Sequence, residues 1–282
     1  MMKVLVVTKK NISRGKATLK SLTSLLDKKK ISYLVVGFDQ VDEYYNKIHD
    51  KKYKEKFDLL LSFGGDGTIL KSARVARKLD IPILGVNVGT VGFLTTINEF
   101  EDLDAALDKI KKKNYIYEER SMISVEVLRD EETAFKAYAV NEATFMTSNL
   151  SKIGKYKILI GDEKSLFTKL SADGVIVATP TGSTAHSLSA GGPIVTPNVN
   201  CLLITPLYPH TINQRSFVIS DNKDLYVEML SDKQIVDIDG RVNFELSKGD
   251  VAVIKKLKKT LRYIVFKKNN FLNNIREKIK VL

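Results

Sequence analysis

The chain has 282 residues, 44% hydrophobic and 28% charged, the composition of an ordinary globular protein with enough length for two domains. No apolar run approaches the roughly 18 residues that a membrane-spanning helix needs. The single cysteine, Cys201, excludes an internal disulfide and a cysteine-based structural zinc site.

Lys and Arg number 45 against 33 Asp and Glu, a net charge of +12. Such a balance suits nucleic acid, an anionic membrane surface or a polyanionic small substrate. The lysines, however, come in short runs (Lys28–Lys30, Lys51–Lys56, Lys109–Lys113, Lys255–Lys259) spread along the chain, the pattern of solvated helix faces and turns. Aromatic residues total 8% with no Trp and do not interleave with Arg as a base-stacking platform would. The opening MMKVLVVTKK has too short an apolar stretch for a secretory signal. A cytoplasmic enzyme with no nucleic-acid and no membrane partner is expected.

The first hundred residues alternate strand and helix signals. Lys3–Thr8 (KVLVVT) is a β-branched apolar run, and Lys16–Lys30 carries Leu19, Leu22, Leu25 and Leu26 at helical spacing. Ile31–Phe38 reads as a strand, Val41–His49 as a short helix and Phe57–Phe63 (FDLLLSF) as a third strand. After a glycine-rich loop, Ile69–Leu79 reads as a helix with Leu70, Ala73, Ala76 and Leu79 on one side, and Ile81–Val86 as a fourth strand. Nearly continuous apolar strands alternating with helices predict a parallel sheet covered on both faces. Glu101–Lys112 is a predicted helix joining two domains. From Ser121 onward strand signals succeed one another: 122–128, 135–145, 156–160, 173–178, 201–205, 215–219, 225–230, 234–238 and 251–254. That spacing predicts a mostly antiparallel second domain, and Asn270–Lys280 reads as a final helix. The expected fold is an α/β N-terminal domain with a mostly parallel, Rossmann-like sheet, plus an all-β, sandwich-like C-terminal domain. The expected boundaries are 1–98, completed by 257–282, and 99–256.

The sharpest local feature is Gly64-Gly65-Asp66-Gly67-Thr68, between a buried-looking strand and a helix. In open α/β sheets ligands bind beyond the carboxyl ends of strands. Glycines there admit phosphate oxygens to backbone N–H groups, and the helix start favours an anion. Thr68 is the expected N-cap. Asp66 would repel a phosphate, so it makes sense as a Mg²⁺ ligand or as the base for an attacking hydroxyl; the plainer reading is an Asp holding its own turn. The string is not a Walker A loop, since no Gly-Lys-Ser/Thr follows. A second glycine loop, Asn87-Val88-Gly89-Thr90-Val91-Gly92-Phe93-Leu94, follows the next strand. Farther on, the stretch from Ala172 to Pro193 (ADGVIVATPTGSTAHSLSAGGP) runs from a strand into small hydroxyl-bearing residues suited to a sugar or phosphate, or to an ordinary loop. Asn141-Glu142 are polar residues inside a strand-like run, and Asp239-Gly240 reads as a turn. His49 reads as a surface residue, His210 as a satisfied loop histidine, and Cys201 as core.

Taken in order, GGDGT, NVGTVGFLT, NE and DGVIVATPTGSTAHSLSAGGPI closely resemble the motifs of NAD kinases, over residues 58–241. GGDGT alone also occurs in diacylglycerol and sphingosine kinases and related phosphofructokinases. The resemblance implies ATP as donor, NAD as substrate and Mg²⁺ or another divalent cation as cofactor. It makes Asp66 the catalytic base acting on the 2′-hydroxyl of the adenosine ribose, with Gly64, Gly65, Gly67, Thr68 and Lys71 on the ligand side. Asn141 and Glu142 match the pair that binds the ribose and adenine region, Asp173 a dinucleotide contact, and Thr184, Ala185, His186 and Ser189 a loop that closes on the ligand. Lys155 and Arg241 align with the family only loosely. His186 stands where the family usually has Tyr, which implies weaker or pH-sensitive dinucleotide affinity. Polyphosphate as a second donor and a homodimer or homotetramer are further implications. A diacylglycerol or sphingosine-type lipid kinase and a non-catalytic dinucleotide sensor are the competing readings.

Overall fold

The computed structural model describes residues 2–9, 13–14, 17–50, 52–89, 92–149, 152–211, 213–267, 271 and 274–276. In chain order, β1 (Lys3–Thr8), the short pair β2 (Ser13–Arg14) and β3 (Ala17–Thr18), α1 (Leu19–Lys28), β4 (Ser32–Gly37), α2 (Val41–Lys47), β5 (Leu59–Phe63), α3 (Asp66–Leu79), β6 (Ile83–Val86), α4 (Leu103–Lys111) and β7 (Ile116–Arg120) come first. A run of strands follows: β8 (Ile123–Arg129), β9 (Glu132–Ala139), β10 (Glu142–Thr147), β11 (Gly154–Ile160) and β12 (Ser165–Ala178). After the four-residue helix α5 (His186–Ser189) come β13 (Cys201–Pro209), β14 (Phe217–Ser220), β15 (Leu225–Met229), β16 (Gln234–Ile238), β17 (Val242–Leu246) and β18 (Val251–Lys256), and finally β19 (Leu261–Val265). Two units result: residues 1–119 with 261–282, and residues 120–260.

The first unit is a sheet in the order β4-β1-β5-β6-β19-β7, parallel across its first five strands. Strands β1 and β5 are apolar on both faces with hardly an exposed side chain, the pattern of inner strands covered by helices on both sides. Thr18 caps α1 by accepting the Ser21 N–H at 3.0 Å. Leu22 and Leu26 of that helix are fully buried, each stabilising by roughly 1.5–3 kcal/mol. Helix α4 does not join two domains: Leu103, Ala106, Leu107 and Ile110 pack into the first unit's core with Val4, Leu61 and Leu84. An amphipathic helix settles where its apolar stripe finds a face to cover, and here that face is the parallel sheet. Strand β19 returns to the same sheet from the far end of the chain, a pairing that local sequence does not announce.

The second unit is one antiparallel sheet in the order β17-β16-β10-β12-β11-β15-β18-β8-β9, with β13 on β12 and β14 on β13. The sheet curls until its ends meet. Phe135 of β9 and Phe244 of β17 stack at 4.9 Å, and Arg129 at the end of β8 reaches the Glu245 carbonyl at 3.1 Å. These side-chain contacts close the sheet around a core that includes Phe145, Tyr156, Ile158, Val175 and Val227. The strand-like run Phe135–Phe145 is interrupted at Val140-Asn141, between β9 and β10. Asn141 therefore lies in the break rather than inside a strand, and Glu142 opens β10. Most of the predicted Asn270–Lys280 helix lies outside the described residues. Of those described, Phe271 and Asn274 are buried, and Asn274 Nδ2 donates to the Phe93 carbonyl at 3.3 Å.

Candidate functional site

In the first unit the site grows from the end of β5. The chain leaves Phe63, turns through Gly64 and Gly65, and enters α3 at Asp66. Gly65 is the N-cap and makes no side-chain cap bond. Thr68 is thus not the expected cap but the third helical residue, its hydroxyl buried against Gly64 without a hydrogen-bond partner. The helix starts at Asp66, three residues before the predicted Ile69. Of the predicted face, Ala73 and Ala76 are buried, joined by Ile69 and Val75, while Leu70 and Leu79 are only partly buried.

Asp66 is half-buried, and its carboxylate does not hold its own turn. Oδ2 accepts the Phe93 N–H at 2.7 Å and Oδ1 the Leu94 N–H at 2.9 Å. The two glycine loops are therefore joined through one side chain. Gly92 permits the approach: a Cβ there would lie 1.8 Å from Asp66 Oδ1. Thr90 and Val91 of the second loop lie outside the described residues. A carboxylate seated on two N–H groups is fixed in direction. Its two oxygens carry about four lone-pair sites, so two remain for a hydroxyl donor. Gly65 and Gly67 flank it, both partly exposed. Lys71, one turn on, pairs with Asp42 of α2 at 3.1 Å and lies 4.4 Å from the Phe38 ring centroid, while Arg74 pairs with the same Asp42.

In the second unit the Asn141-Glu142 break is gripped from two sides. Thr179 donates its N–H to the Asn141 carbonyl at 2.8 Å and its hydroxyl to the Val140 carbonyl at 2.5 Å. Gly182 packs so closely that a Cβ would meet the Asn141 carbonyl oxygen at 2.2 Å. Thr184 closes the short helical turn 181–184, donating its hydroxyl to the Thr181 carbonyl at 3.3 Å. Ala185 bonds back to Gly182, and His186 and Ser189 stand exposed at the two ends of α5. His186 Nδ1 lies 3.0 Å from Glu142 Oε1, although the imidazole is 67% exposed and the carboxylate only 3%. The other oxygen, Glu142 Oε2, and Asn141 Oδ1 are both buried without a partner. Two adjacent unpaired acceptors are costly unless a ligand supplies the donors.

The sequence reading missed the acids behind this pair. Asp239, in the turn after β16, accepts the N–H groups of Val140, Asn141 and Glu142 at 2.8, 2.9 and 2.9 Å. Burial pushes Asp239 up to about 6, against the pull of those three bonds and of Arg241. Burial, with Asp239 and Asp237 nearby, pushes Glu142 up to about 8. Arg241 is itself held down by burial. The alternation Asp237-Ile238-Asp239 was the one available signal, since it puts two acids on one face of a strand end. Lys155 and Asp173 belong to the β11–β12 pair. Lys155 is exposed and its N–H donates to Ser231 at 3.0 Å, and Asp173 faces His210 at 4.0 Å. Among the described residues no hydrogen bond or ion pair joins their side chains to Asn141-Glu142. His49 is exposed and Cys201 buried.

Comparison with known proteins agrees with this layout. Residues 4–115 match the ATP-NAD kinase N-terminal domain and residues 140–266 the ATP-NAD kinase C-terminal domain. An NAD kinase of Carboxydothermus hydrogenoformans is 37% identical over 228 residues, 80% of each chain. Among solved structures, an NAD kinase from Archaeoglobus fulgidus in complex with ATP aligns over the whole of both chains at 26% identity and TM-score 0.75. Yeast NADH kinase complexed with NADH covers all of this chain and 88% of its own at TM-score 0.83 and 22% identity, a likeness of fold.

Proposed function

The chain belongs to the NAD kinase family, and from that premise we propose how its residues divide the work of moving the terminal phosphoryl group of ATP to the 2′-hydroxyl of the adenosine ribose of NAD. The observation that carries the reading is Asp66, an aspartate at a helix start with both oxygens seated on N–H groups of the second glycine loop. Phosphoryl transfer needs in-line positioning and charge neutralisation more than covalent help. Asp66, fixed by those two bonds, takes the hydroxyl proton through a remaining lone pair. The N–H groups of Gly65 and Gly67 and the start of α3 receive the donor phosphates. Lys71 contributes positive potential there while shared with Asp42. Asn141 and Glu142 receive the dinucleotide's donors, with Thr184, Ala185, His186 and Ser189 beside them; Asp173, Lys155 and Arg241 extend the contact.

The described residues contain no group of three or more His, Cys, Asp or Glu side chains able to hold a cation. A protein-built Mg²⁺ site does not fit, so the divalent cation enters as part of the donor's phosphate complex. A lipid kinase is not favoured, since both matched domains are those of NAD kinases. Among the described residues no helix is long and apolar enough to cross a membrane. A cytoplasmic homodimer or homotetramer fits the exposed apolar Leu166, Tyr208 and Val218 of the second unit. The deciding assay is NADP formation from NAD with ATP, and with polyphosphate as a second donor, with and without Mg²⁺. NADP formed from ATP is expected, and none with either donor would overturn the reading.

A further inference from the structure

Strands β16 and β17 are joined by a tight turn in which Asp239 and Gly240 both have positive φ, 53° and 66°. The Arg241 N–H closes it on the Ile238 carbonyl at 3.0 Å. Asp-Gly suits such a turn through backbone conformation alone, and Asn would serve as well. Gly240 is bonded by Asp237, at 2.6 Å, not by Asp239. The Asp239 carboxylate is therefore surplus to its own turn, and it accepts three successive N–H groups from a segment 97 to 99 residues earlier in the chain.

Three consecutive N–H groups converging on one carboxylate can arise only where the backbone leaves the strand ladder. The break between β9 and β10 is that place. It turns Asn141 and Glu142 so that Oδ1 of one and Oε2 of the other end as buried, unpartnered acceptors. A neutral side chain at 239 could not receive all three donors, and the break would have to find others or relax into the strand. We propose that Asp239 is a positioning residue for NAD recognition, acting through the backbone of Val140–Glu142 to set the acceptor pair that takes the dinucleotide's hydroxyl and amino donors. This rests on the kinase reading for the identity of the ligand but not for the geometry.

Protonation of Asp239 removes the charge that three N–H groups share. The ionisable groups around it are Glu142 from β10, with His186 of α5 on its far side, and Asp237 and Arg241 from its own hairpin. Loss of NAD affinity is expected as pH falls through about 6, where burial places Asp239, separately from any change near 8 that belongs to Glu142.

The test is Asp239→Asn, which keeps the turn and removes the charge. The KM for NAD should rise on the order of 10–100-fold, the effect of losing hydrogen bonds to a charged group. The KM for ATP should stay put, and the acid-side rise in the NAD KM should disappear. A folded variant whose NAD KM stays within about twofold of the parent, or whose two KM values rise together, would overturn the proposal. Should the variant fail to unfold cooperatively, the parent's NAD KM between pH 7.5 and 5 decides: a rise toward acid supports the role and a flat profile refutes it. If the parent makes no NADP, the kinase reading falls by itself, and equilibrium binding of NAD to parent and variant decides the role of Asp239 by the same ratio.

Discussion

Two aspartates do the same thing in different surroundings. Asp66 of the first unit and Asp239 of the second each clamp a distant backbone segment, the former with two N–H bonds and the latter with three. Asp66 stands half-open at the start of a long helix, where the dipole favours its charge. Asp239 stands in a crowd of acids, with Glu142 and Asp237 beside it. The first arrangement leaves a part-exposed carboxylate fixed by two bonds, the setting proposed above for a base. The second uses the carboxylate to shape its neighbours and raises the proton affinity of Glu142. On the reading proposed above, the same kind of bond would serve chemistry in one unit and recognition in the other.

The sharpest way to break this contrast is Asp66→Asn. Turnover should fall on the order of 10²–10⁴-fold if proton removal is its role. Full turnover in steady-state NADP formation would remove Asp66 from catalysis. Gly92→Ala probes the clamp without touching the acid. A Cβ 1.8 Å from Oδ1 must push the carboxylate or the loop away, at a cost of about 1–3 kcal/mol in overpacking. Turnover should drop while the NAD KM holds, and unchanged kinetics would show that the seating of Asp66 is immaterial.

Glu142→Gln tests the second unit. Folding takes Glu142 from an ordinary carboxyl to one pushed up to about 8, so the folded state binds the extra proton between those limits and stability falls as pH rises toward 8. The amide carries no such cost. Thermal unfolding at pH 8 should move up by about 2–4 °C per kcal/mol relieved, while NAD binding weakens. A variant no more stable than the parent at pH 8 would mean that Glu142 is ionised without strain. The smallest effect belongs to His186→Tyr. It removes the 3.0 Å partner of Glu142 Oε1 and adds ring area, so the NAD KM should fall a few-fold. An NAD KM identical to the parent's at acid and neutral pH would remove the ring from the contact.

Much of the first unit was legible along the chain. The apolar runs 3–8 and 59–63, the leucines of α1 and the glycine string before α3 each carry a local signal. The second unit was legible as a succession of strands but not in its interruptions. The break at Val140-Asn141 lies within a run whose residues favour a continuous strand, and it is held open by bonds to remote Asp239 and Thr179. Strand β19 and helix α4 were assigned by packing, since an apolar segment does not say which sheet it will complete.

By itself, the order of residues determined the alternation of strands and helices, the glycine loops and the motifs that mark the family. Those are properties of side-chain type and spacing, and they are written locally. Folding alone decided which carboxylate meets which N–H, and so which acid is fixed by the second glycine loop, which one shapes a turn, and which one holds a proton near neutrality. The reason is physical: every residue but proline offers the same N–H, so the sequence cannot label the donor. Desolvation, too, belongs to a place in the fold rather than to a residue.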